Sequence, residues 1–426
     1  MMIEWKSFLL GDVIEYANGS SFPNRFQGLK QKRYDFYKVS DMNNPKNFMY
    51  MVEAENTVDD EIVEKLKAKV HPKDTVIFPK VGAALLTNKR RILSKPSLFD
   101  NNIMGIKPKK ELLPLYLYYF MLTIDFAKYV QSGAVPSINK TIIDNIPINL
   151  PSLPEQRKIA DILSSVDEAI EKTEAIIEQT EKVKKGLMQQ LLTKGIGHTR
   201  FKKTKIGEIP EEWEVKSLKE MLDDKYILDH MDGNHGELYP RSDEFTNEGI
   251  PYVSANCIKN QKLELSNAKF LPYERAIQFK KGVAQNQDVL FAHNATVGPV
   301  AVLETDYEFV ILSTTLTYYR CNQDKVNPYY LSYYMQSQRF IRQYVRVMGQ
   351  TTRNQVPITL QRSFIHIIPP IKEQKKIVEI ISPIEKKLNN EINKLTILKT
   401  IKKSLMQSLL TGKVRVKVNE GEVVSS

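Results

Sequence analysis

One short string in the second half of the chain has residue types that adenine methyltransferases use. Those enzymes hold a flipped adenine with an Asn/Asp-Pro-Pro-Tyr/Phe turn, and the string Asn327-Pro328-Tyr329-Tyr330 lacks the second proline. The same residues favour a helix start, with Asn327 as N-cap and Pro328 at the first helical position. The sequence also lacks a glycine-rich dinucleotide loop and a GxxxxGK(S/T) phosphate loop. We therefore predict that this chain catalyses neither methyl transfer nor ATP hydrolysis.

A second string, Glu373-Gln374-Lys375, offers the Glu-x-Lys end of a nuclease site. Its counterpart in the first half is Glu155-Gln156-Arg157, and each string opens an apolar helical pattern. Acidic side chains in the first turn of a helix interact favourably with the helix dipole. We interpret both strings as helix starts, and we predict no catalytic residue in the chain.

His230, Asp232 and His235 are close enough in sequence to ligate a metal ion. However, no third His or Cys follows at helical or CxxC spacing, and the neighbouring Gly233 and Gly236 indicate a turn. A polar recognition loop is the favoured interpretation, with a metal site as the alternative. We predict no metal in this chain.

Side chains suited to DNA contact are numerous in the segments predicted as loops. Arg and Lys suit phosphate and guanine, and Asn and Gln suit adenine. Each could equally be a solvated surface residue, and residues that match between the two halves are predicted to be structural. The candidates form two basic clusters in the first half and are dispersed in the second: Lys30, Lys32, Arg33, Lys89, Arg90, Arg91, Arg241, His293, Asn294, Arg346, Gln350, Arg353 and Asn354.

The charge balance supports a polyanionic partner. The 426 residues include 61 Lys+Arg and 50 Asp+Glu, which leaves a net charge of +11. Such a surplus favours nucleic acid, although a solvated basic surface has the same composition. Cys257 and Cys321 lie too far apart for a CxxC site, so a reducing cytoplasm is expected. With neither a secretion signal nor an apolar run long enough to span a bilayer, we expect a cytoplasmic chain without membrane contact.

The chain repeats itself in two segments that share one offset. Glu155-Gln156-Arg157-Lys158-Ile159 recurs as Glu373-Gln374-Lys375-Lys376-Ile377, at 373 − 155 = 218. The segment 184–193 recurs as 402–411, again at 402 − 184 = 218. Because a continuous helix tolerates no register shift, the unbroken offset indicates one long helix between the matched segments in each half.

The segments before these helices match more weakly. Tyr37-Lys38-Val39-Ser40 resembles Pro251-Tyr252-Val253-Ser254, and Pro114-Leu115-Tyr116-Leu117 resembles Pro328-Tyr329-Tyr330-Leu331, both at 328 − 114 = 214. Short apolar, β-branched runs such as Asp74–Phe78 and Asp288–Phe291 favour buried strands. The two globular parts therefore share a scaffold and differ in their loops.

Apolar residues in both predicted helices recur in steps of three and four, as in a coiled-coil seam. The first helix carries more acidic residues and the second more basic residues, so their flanks can pair. Ordinary core helices of two separate domains are the alternative, but a run of roughly 38 residues would span about 57 Å. The predicted seam comprises Ile159, Ile162, Val166, Ile176, Val183, Leu187, Ile377, Ile384, Leu388, Leu395, Leu398 and Leu405.

Antiparallel helices of this length would act as a ruler between two globular domains. Two DNA-reading domains about 55 to 60 Å apart would address sites roughly one to two turns apart on B-DNA. The predicted arrangement therefore suits a bipartite DNA site.

The chain resembles the specificity subunit of type I restriction-modification systems, the HsdS family, over nearly its whole length. The family pattern of apolar residues and prolines before Glu-Gln is matched by 148–156 and again by 367–374. Leu187-Met188-Gln189-Gln190-Leu191-Leu192-Thr193 and its repeat are typical, and Ile206-Gly207-Glu208-Ile209-Pro210 is similar to the family's entry into its second recognition domain. The motifs occur in order and in duplicate.

The resemblance implies an α+β fold with two mixed α/β target-recognition domains, two long antiparallel spacer helices and a pseudo-two-fold repeat. It implies readout of an asymmetric, bipartite double-stranded DNA site by a non-catalytic chain. Two copies of a modification subunit would carry S-adenosylmethionine and methylate adenine, and restriction subunits would use ATP and Mg. The predicted domains are 1–150 and 198–367 for recognition, 151–197 and 368–412 for the helices, and 413–426 for a tail.

Two other classes of protein remain as alternatives. Recognition and methylation could be fused in one polypeptide, which requires the complete methyltransferase motifs that this sequence lacks. Alternatively, a rod with two adaptor domains would bind protein only and retain no DNA.

Overall fold

The computed structural model describes residues 4–130, 135–233, 239–349 and 354–418. The chain divides into two compact units. Unit 1 combines Met1–Thr173 with Lys394–Ser426, and unit 2 is Glu174–Asn393. Both divisions fall inside long helices, so each unit contains one globular part and a segment of both helices.

Unit 1 is built from short strands and short helices that precede a long helix. Its strands are β1 (Lys6–Leu9), β2 (Ile14–Asn18), β3 (Tyr34–Tyr37), β4 (Tyr50–Met51), β5 (Asn56–Val58), β6 (Val76–Pro79), β7 (Arg91–Leu93), β8 (Ser97–Phe99), β9 (Ile103–Pro108) and β10 (Pro147–Leu150). Its helices are α1 (Leu10–Val13), α2 (Asp60–Lys65), α3 (Ala83–Leu86), α4 (Pro114–Thr123) and α5 (Lys140–Asp144), followed by the long α6 (Leu153–Lys194).

The strands of unit 1 form two main sheets. The larger sheet has the order β2-β9-β6-β7-β4, and a three-stranded sheet has the order β5-β3-β8. A separate antiparallel pair joins β1 to β10, with Lys6 opposite Leu150. This pair brings the start of the globular part of unit 1 next to the residues that lead into α6.

Unit 2 repeats this plan with additional strands. Its strands are β11 (Phe201–Thr204), β12 (Gly207–Pro210), β13 (Glu214–Ser217), β14 (Ile227–Asp232), β15 (Ile250–Val253), β16 (Ile258–Lys259), β17 (Lys262–Leu263), β18 (Lys269–Leu271), β19 (Val283–Ala284), β20 (Val289–Asn294), β21 (Thr296–Val302), β22 (Val310–Leu312), β23 (Leu316–Cys321) and β24 (Ile365–Ile368). Its helices are α7 (Leu218–Asp223), α8 (Tyr273–Ala276), α9 (Pro328–Met335), α10 (Gln338–Met348) and α11 (Ile358–Gln361), followed by the long α12 (Ile371–Leu409).

The sheets of unit 2 correspond to those of unit 1. One four-stranded sheet has the order β14-β23-β20-β21, and the other has the order β18-β15-β22-β19. The pair β13–β24 places Glu214 opposite Ile368, as β1–β10 places Lys6 opposite Leu150. Because 368 − 150 = 218, the offset of the long helices begins in the strand that precedes each of them.

The core of each unit includes both long helices. In unit 1, Tyr116 and Leu117 of α4 cluster with Leu163 of α6 and Leu409 of α12. In unit 2, Tyr330 of α9 belongs to a cluster with Leu191 of α6 and Ile377 of α12. The helices are antiparallel within each unit. In unit 1, Glu155 contacts Arg415 and Asp167 contacts Lys402, and in unit 2, Lys184 contacts Glu385 and Ile196 contacts Glu373. These features confirm the predicted α+β class.

No helix in the described parts of the chain is both long enough and apolar enough to cross a membrane.

Candidate DNA interface and its helical support

The seam between the long helices differs in part from the predicted one. Ile159 and Ile377 are fully buried and Leu388 is buried, while Ile162, Val166, Leu187, Ile384, Leu395, Leu398 and Leu405 are partly buried. The prediction is wrong for Ile176 and Val183, whose side chains are 37% and 43% exposed. At these turns the seam lies one residue further along, at Ile177 and Lys184, which are partly buried. At the second of these turns the apolar pattern missed the shift because the charged Lys184 occupies the seam.

In unit 1 the seam contains a buried ion pair. Asp167 is 2% exposed, and its Oδ1 lies 2.6 Å from Nζ of Lys402 on α12. The hydroxyl of Tyr119 on α4 donates a hydrogen bond of 2.9 Å to Oδ2 of the same carboxylate. One carboxylate therefore joins both long helices to α4 in the globular part of unit 1, and we call these three residues the first triad.

Unit 2 contains an equivalent second triad. Nζ of Lys184 on α6 lies 2.5 Å from Oε1 of Glu385 on α12, and the hydroxyl of Tyr333 donates to Oε2 at 3.0 Å. The positions correspond by the repeat offsets, since 385 − 167 = 218, 402 − 184 = 218 and 333 − 119 = 214. Applying the offset to charged residues would have predicted this pair, which a search for apolar residues could not find.

The duplicated Glu-Gln strings at the helix starts are structural. The Gln156 amide donates to the carbonyls of Glu111 and Pro151 and accepts from the backbone of Leu113. Gln374 makes the same contacts with the carbonyls of Lys325 and Pro369 and the backbone of Asn327. Each glutamine therefore fastens the first turn of a long helix to the loop before α4 or α9.

The glutamates fasten the same turns to the segment that follows the other long helix. Both oxygens of Glu155 accept hydrogen bonds of 2.7 Å from Arg415. Glu373 accepts from Nε1 of Trp213 at 2.8 Å and contacts Nε2 of His198 at 2.9 Å. With these partners, Glu373 has the structural role expected from its place in a first helical turn.

The methyltransferase-like string is a helix cap. The Asn327 side chain accepts hydrogen bonds from the backbone of Tyr329 at 2.9 Å and Tyr330 at 3.2 Å, and Pro328 occupies the first turn of α9. Tyr330 is buried with its hydroxyl bonded to the carbonyl of Ile367. These residues form a capped and packed helix start.

In unit 1 a short antiparallel pairing holds the end of β6 to the segment before α5. The backbone N–H of Gly82 donates to Pro136 at 2.7 Å, and that of Ile138 donates to Lys80 at 2.9 Å, with Val81 opposite Ser137. We call residues 80–82 with 136–138 the first loop anchor. Its side chains lie at the surface or are partly buried except for Ile138.

Unit 2 has the same backbone contacts with different side chains. Ala295 donates to the carbonyl of Asn354 at 3.0 Å and Val356 donates to that of His293 at 2.7 Å, with Asn294 opposite Gln355. We call residues 293–295 with 354–356 the second loop anchor. The pairings coincide at 293 − 80 = 213 and 356 − 138 = 218. Asn294, Gln355 and exposed Asn354 place amide side chains where the first anchor has Val81, Ser137 and Pro136.

Both units also contain a close backbone approach just after a corresponding strand, β2 in unit 1 and β14 in unit 2. A Cβ at Gly19 would lie 1.9 Å from the carbonyl oxygen of Asp100, and one at Gly233 would lie 1.9 Å from that of Ser313. The glycines are separated by 233 − 19 = 214. Only glycine allows these two chain segments to approach so closely.

The basic clusters of unit 1 are largely engaged within the protein. Lys32 pairs with Asp59 at 3.1 Å and Arg33 with Asp60 at 2.8 Å, although the side chains of both basic residues remain exposed. Nζ of Lys30 lies 3.4 Å from the carbonyl of Ala54. These three remain candidates, with part of their positive charge offset locally.

The second cluster, residues 89–91, does not form an exposed basic patch. Arg90 is fully buried, its guanidinium lies 4.0 Å from the Phe126 ring centroid, and it donates to the carbonyl of Ile124 at 2.8 Å. Burial lowers the pKa of Arg90 to about 9. The prediction of a DNA contact is wrong for Arg90, because its cation stabilises the packing of Phe126.

The neighbours of Arg90 are also engaged. The partly buried Arg91 donates to the carbonyls of Arg90 and Met42 at 2.7 and 3.0 Å. Lys89 bonds to Oδ1 of Asn43. A run of basic residues in a sequence therefore does not show whether their side chains are solvated or bind backbone carbonyls.

The candidates of unit 2 divide into buried and exposed residues. His293 is 5% exposed, with Nδ1 3.1 Å from the carbonyl of Val356, so its predicted base contact is wrong for this conformation. Asn294 is partly buried, while Arg241, Arg346 and Asn354 are exposed. Gln350 and Arg353 lie outside the described residues.

His230, one residue of the alternative metal site, is buried and hydrogen-bonded within unit 2. This residue is 2% exposed and its Nε2 contacts Oε1 of Gln361 at 3.1 Å. Among the described residues, no group of three or more His, Cys, Asp or Glu could hold a metal ion. His235 lies outside those residues, which leaves that part of the alternative open.

Sequence reasoning missed the polar network around Gln361. Its Oε1 accepts hydrogen bonds from the hydroxyls of Tyr319 and Thr317 at 2.8 and 3.1 Å, and its amide donates to the carbonyl of Val356. His366 lies beside this network and is 1% exposed. The corresponding residues of unit 1 are Ile143 and Ile148, at the offset 361 − 143 = 366 − 148 = 218, and both are buried.

The family of the chain is established by comparison with known proteins. The model of the type I restriction modification DNA specificity domain matches residues 2–182 and 210–403. The chain therefore belongs to the family of type I restriction-modification specificity subunits. The two matched segments contain the first and second loop anchors, respectively.

Similar proteins span most of the chain. It is 29% identical over 333 residues to the type I restriction enzyme MjaVIII specificity subunit of Methanocaldococcus jannaschii, covering 76% of each chain. It is 31% identical over 329 residues to the putative MjaX specificity subunit of the same organism, covering 75% of this chain and 73% of that one. The crystal structure of an S subunit from M. genitalium has the same fold, with a TM-score of 0.63 and 14% identity over 98% of this chain and 97% of that one.

Proposed function

We propose that this chain recognises a bipartite, asymmetric double-stranded DNA site and directs adenine methylation or restriction by partner subunits. The observation that carries the proposal is the pair of loop anchors. Identical backbone contacts present Val81 and Ser137 in one unit and Asn294 and Gln355 in the other. A scaffold that is constant while its accessible side chains differ suits the readout of two unlike half-sites.

The partners supply the chemistry in this proposal. Two copies of a modification subunit bind the duplicated spacer-helix surfaces and use S-adenosylmethionine to methylate adenine. Restriction subunits use ATP and Mg for translocation and cleavage. We propose a cytoplasmic complex, in keeping with the reduced, buried cysteines Cys257 and Cys321.

Methylation-sensitive sequencing of a host that expresses the chain with its modification subunit tests this function. The expected result is one methylated motif with two specific parts separated by a spacer of fixed length. A host that expresses the modification subunit alone is the control. Methylation without any sequence preference, or with one continuous motif, would contradict the proposal.

The spacer is proposed to depend on helix length. Seven residues inserted after both Ala175 and Asn393, at matched positions 393 − 175 = 218, would lengthen each helix by about 10 Å and preserve the heptad. The expected motif has the same two parts with about three additional base pairs between them. An unchanged spacer would contradict the ruler hypothesis while leaving recognition itself intact.

The remaining alternative is an adaptor that binds protein only. Retention of mixed-sequence duplex DNA on a filter by the purified complex, with the modification subunit alone as control, separates the two functions. Equal retention by the complex and by the control would favour the adaptor.

A further inference from the structure

Helix α10 has a solvent-facing basic surface, and the described residues of unit 1 form no helix of this length at the corresponding place. Arg342 and Arg346 are exposed one turn apart, and Val345 between them is 48% exposed. Their spacing of four residues places the two guanidinium groups on one face of the helix. At the corresponding place, the described residues of unit 1 form the single 3₁₀ turn Phe126–Tyr129, in which Lys128 matches Arg342 at 342 − 128 = 214.

The surrounding sequence lacks compensating negative charge. No Asp or Glu occurs between Lys325 and Lys372, a stretch that also contains Arg339, Arg342, Arg346, Arg353 and Arg362. In the part of the chain that the structure describes, neither Arg342 nor Arg346 forms an ion pair. This distinguishes them from Lys32 and Arg33 of unit 1, which pair with Asp59 and Asp60.

The opposite face of α10 is packed firmly against the strand that supplies the second loop anchor. The rings of Phe340 and Tyr344 lie 5.8 and 5.7 Å from that of Phe291 on β20. The Tyr344 hydroxyl also lies so close to Gly298 on β21 that a Cβ there would be 2.8 Å away. The helix that carries the arginines is therefore fixed to β20 and β21, the two strands that meet at Asn294 and Ala295.

Helix α10 is also fixed along its length. Its N-cap Ser337 accepts from the backbone of Phe340, and Gln343 exchanges hydrogen bonds of 3.0 and 2.7 Å with the backbone of Ile365 on β24. A fixed helix holds its charges in place with a smaller entropic cost than a loop does. These contacts favour a binding surface over a solvated charge run.

We propose that Arg342 and Arg346 bind backbone phosphates of double-stranded DNA and thereby position the second loop anchor over its half-site. The inference rests on the proposed DNA-recognition function and adds the residues that anchor one half of the complex. Phosphate contacts fix the register of a protein on the duplex and carry no sequence information themselves. The two arginines therefore set affinity and salt dependence, whereas the anchor side chains set specificity.

The test measures binding of mixed-sequence duplex DNA to the complex with the modification subunit at several salt concentrations. Each phosphate contact contributes about 0.9 to the slope of log affinity against log salt concentration. The double variant Arg342→Gln/Arg346→Gln should lower that slope by about 2. Arg342→Lys/Arg346→Lys should retain most of it, because lysine also binds phosphate as a point charge.

Lys202→Gln/Lys203→Gln is the matched control, since it removes two exposed positive charges from strand β11 of the same unit, outside both long helices. Its slope should equal that of the native complex. Methylation-sensitive sequencing of the arginine variant should return the native motif at reduced occupancy.

A native slope in the arginine variant would overturn the inference. If the variant kept that slope but lost the modification subunit during size-exclusion chromatography, the surface would be a protein-docking site instead. If the proposed DNA-recognition function itself were wrong, the native complex would show no preferred DNA motif in methylation-sensitive sequencing. That outcome is distinct from a change in the arginine variant alone.

Discussion

The two units are most alike where they hold the long helices and least alike around the loop anchors. At the helices, Asp167, Lys402 and Tyr119 reappear as Glu385, Lys184 and Tyr333, with the same ion pair and the same tyrosine hydrogen bond. At the anchors, backbone contacts are retained while Val81 and Ser137 give way to Asn294 and Gln355. The contacts that hold the long helices are the same in both units. The side chains differ at the loop anchors, where the two half-sites would be read.

The largest effect is expected from removing the lysine of either triad. Lys402→Met leaves the buried Asp167 carboxylate with its charge unpaired, and Lys184→Met does so for the Glu385 carboxylate, whose side chain is 17% exposed. Loss of one partner of a buried pair costs about 3–5 kcal/mol, so both variants should lose similar amounts of unfolding free energy in guanidinium titrations, with Lys184→Met at the lower end of that range. If the two triads are equivalent, the two variants must lose similar amounts of unfolding free energy.

The paired replacement sharpens this test. Asp167→Leu/Lys402→Met removes both charges and should recover most of the lost stability. Lys403→Met, at an exposed neighbouring position, is the control and should change stability by less than about 0.5 kcal/mol. A large loss in only one of the single variants would show that the triads are not equivalent.

The two close backbone approaches should respond alike to an added methyl group. Gly19→Ala and Gly233→Ala each place a Cβ 1.9 Å from a backbone carbonyl oxygen, which cannot move as a flexible side chain would. Overpacking of this kind costs about 1–3 kcal/mol or more in thermal or guanidinium unfolding.

Gly186→Ala provides the matched glycine control. No atom lies within 4 Å of a Cβ at Gly186, which is inside α6. Alanine there should stabilise the chain by roughly 0.5–1 kcal/mol, because glycine is a poor helix former. If Gly19→Ala left the unfolding free energy unchanged while Gly233→Ala lowered it, the two positions would not be equivalent.

Lowering the pH should reduce the stability of unit 2 more than that of unit 1, because residues that correspond by the offset differ between the two cores. Burial lowers the pKa of His366 to about 3 and that of His230 to about 4, whereas unit 1 has Ile148 in place of His366. Below the unfolded pKa of about 6.5, the unfolded state binds protons that the folded state excludes. Stability of unit 2 should therefore fall as pH falls from about 6.5 towards 4, by up to about 1.4 kcal/mol per pH unit for each histidine.

Trp213 allows this loss to be measured in unit 2. In a Trp5→Phe background it is the remaining tryptophan, and it lies fully buried beside Glu373. Guanidinium unfolding followed by its fluorescence should give a lower unfolding free energy at pH 5 than at pH 7. His366→Ile, which copies the residue of unit 1, should reduce that difference, and an undiminished difference would assign the acid sensitivity elsewhere. His71, whose pKa burial also lowers, lies in unit 1 and is a competing source.

The sequence predicted the two long helices better than it predicted which side chains lie in the seam or at the surface. The unbroken offset of 218 predicted both long helices, because a helix cannot accept an insertion without rotating one of its faces. It did not predict that Lys184 rather than Val183 lies in the seam, since that choice depends on a carboxylate of the other helix and a tyrosine of α9. Likewise, the run Lys89-Arg90-Arg91 favours a surface cation at Arg90, whereas the structure buries it against Phe126 and the carbonyl of Ile124. Such partners are distant in sequence, so a local charge pattern does not reveal them.

The smallest effect on stability is expected at the anchors, where the effect on recognition should be largest. Asn294→Ala removes a partly buried side chain whose amide lies 3.5 Å from the carbonyl of Thr314, and Ser137→Ala changes an exposed position in unit 1. Each should alter unfolding free energy by less than about 0.5 kcal/mol. Loss of a base contact, by contrast, reduces discrimination by about 1–3 kcal/mol at one position. In methylation-sensitive sequencing, the two variants should relax opposite halves of the motif, because backbone contacts hold both anchors unchanged. Relaxation of the same half by both variants would show that one anchor serves only as scaffold.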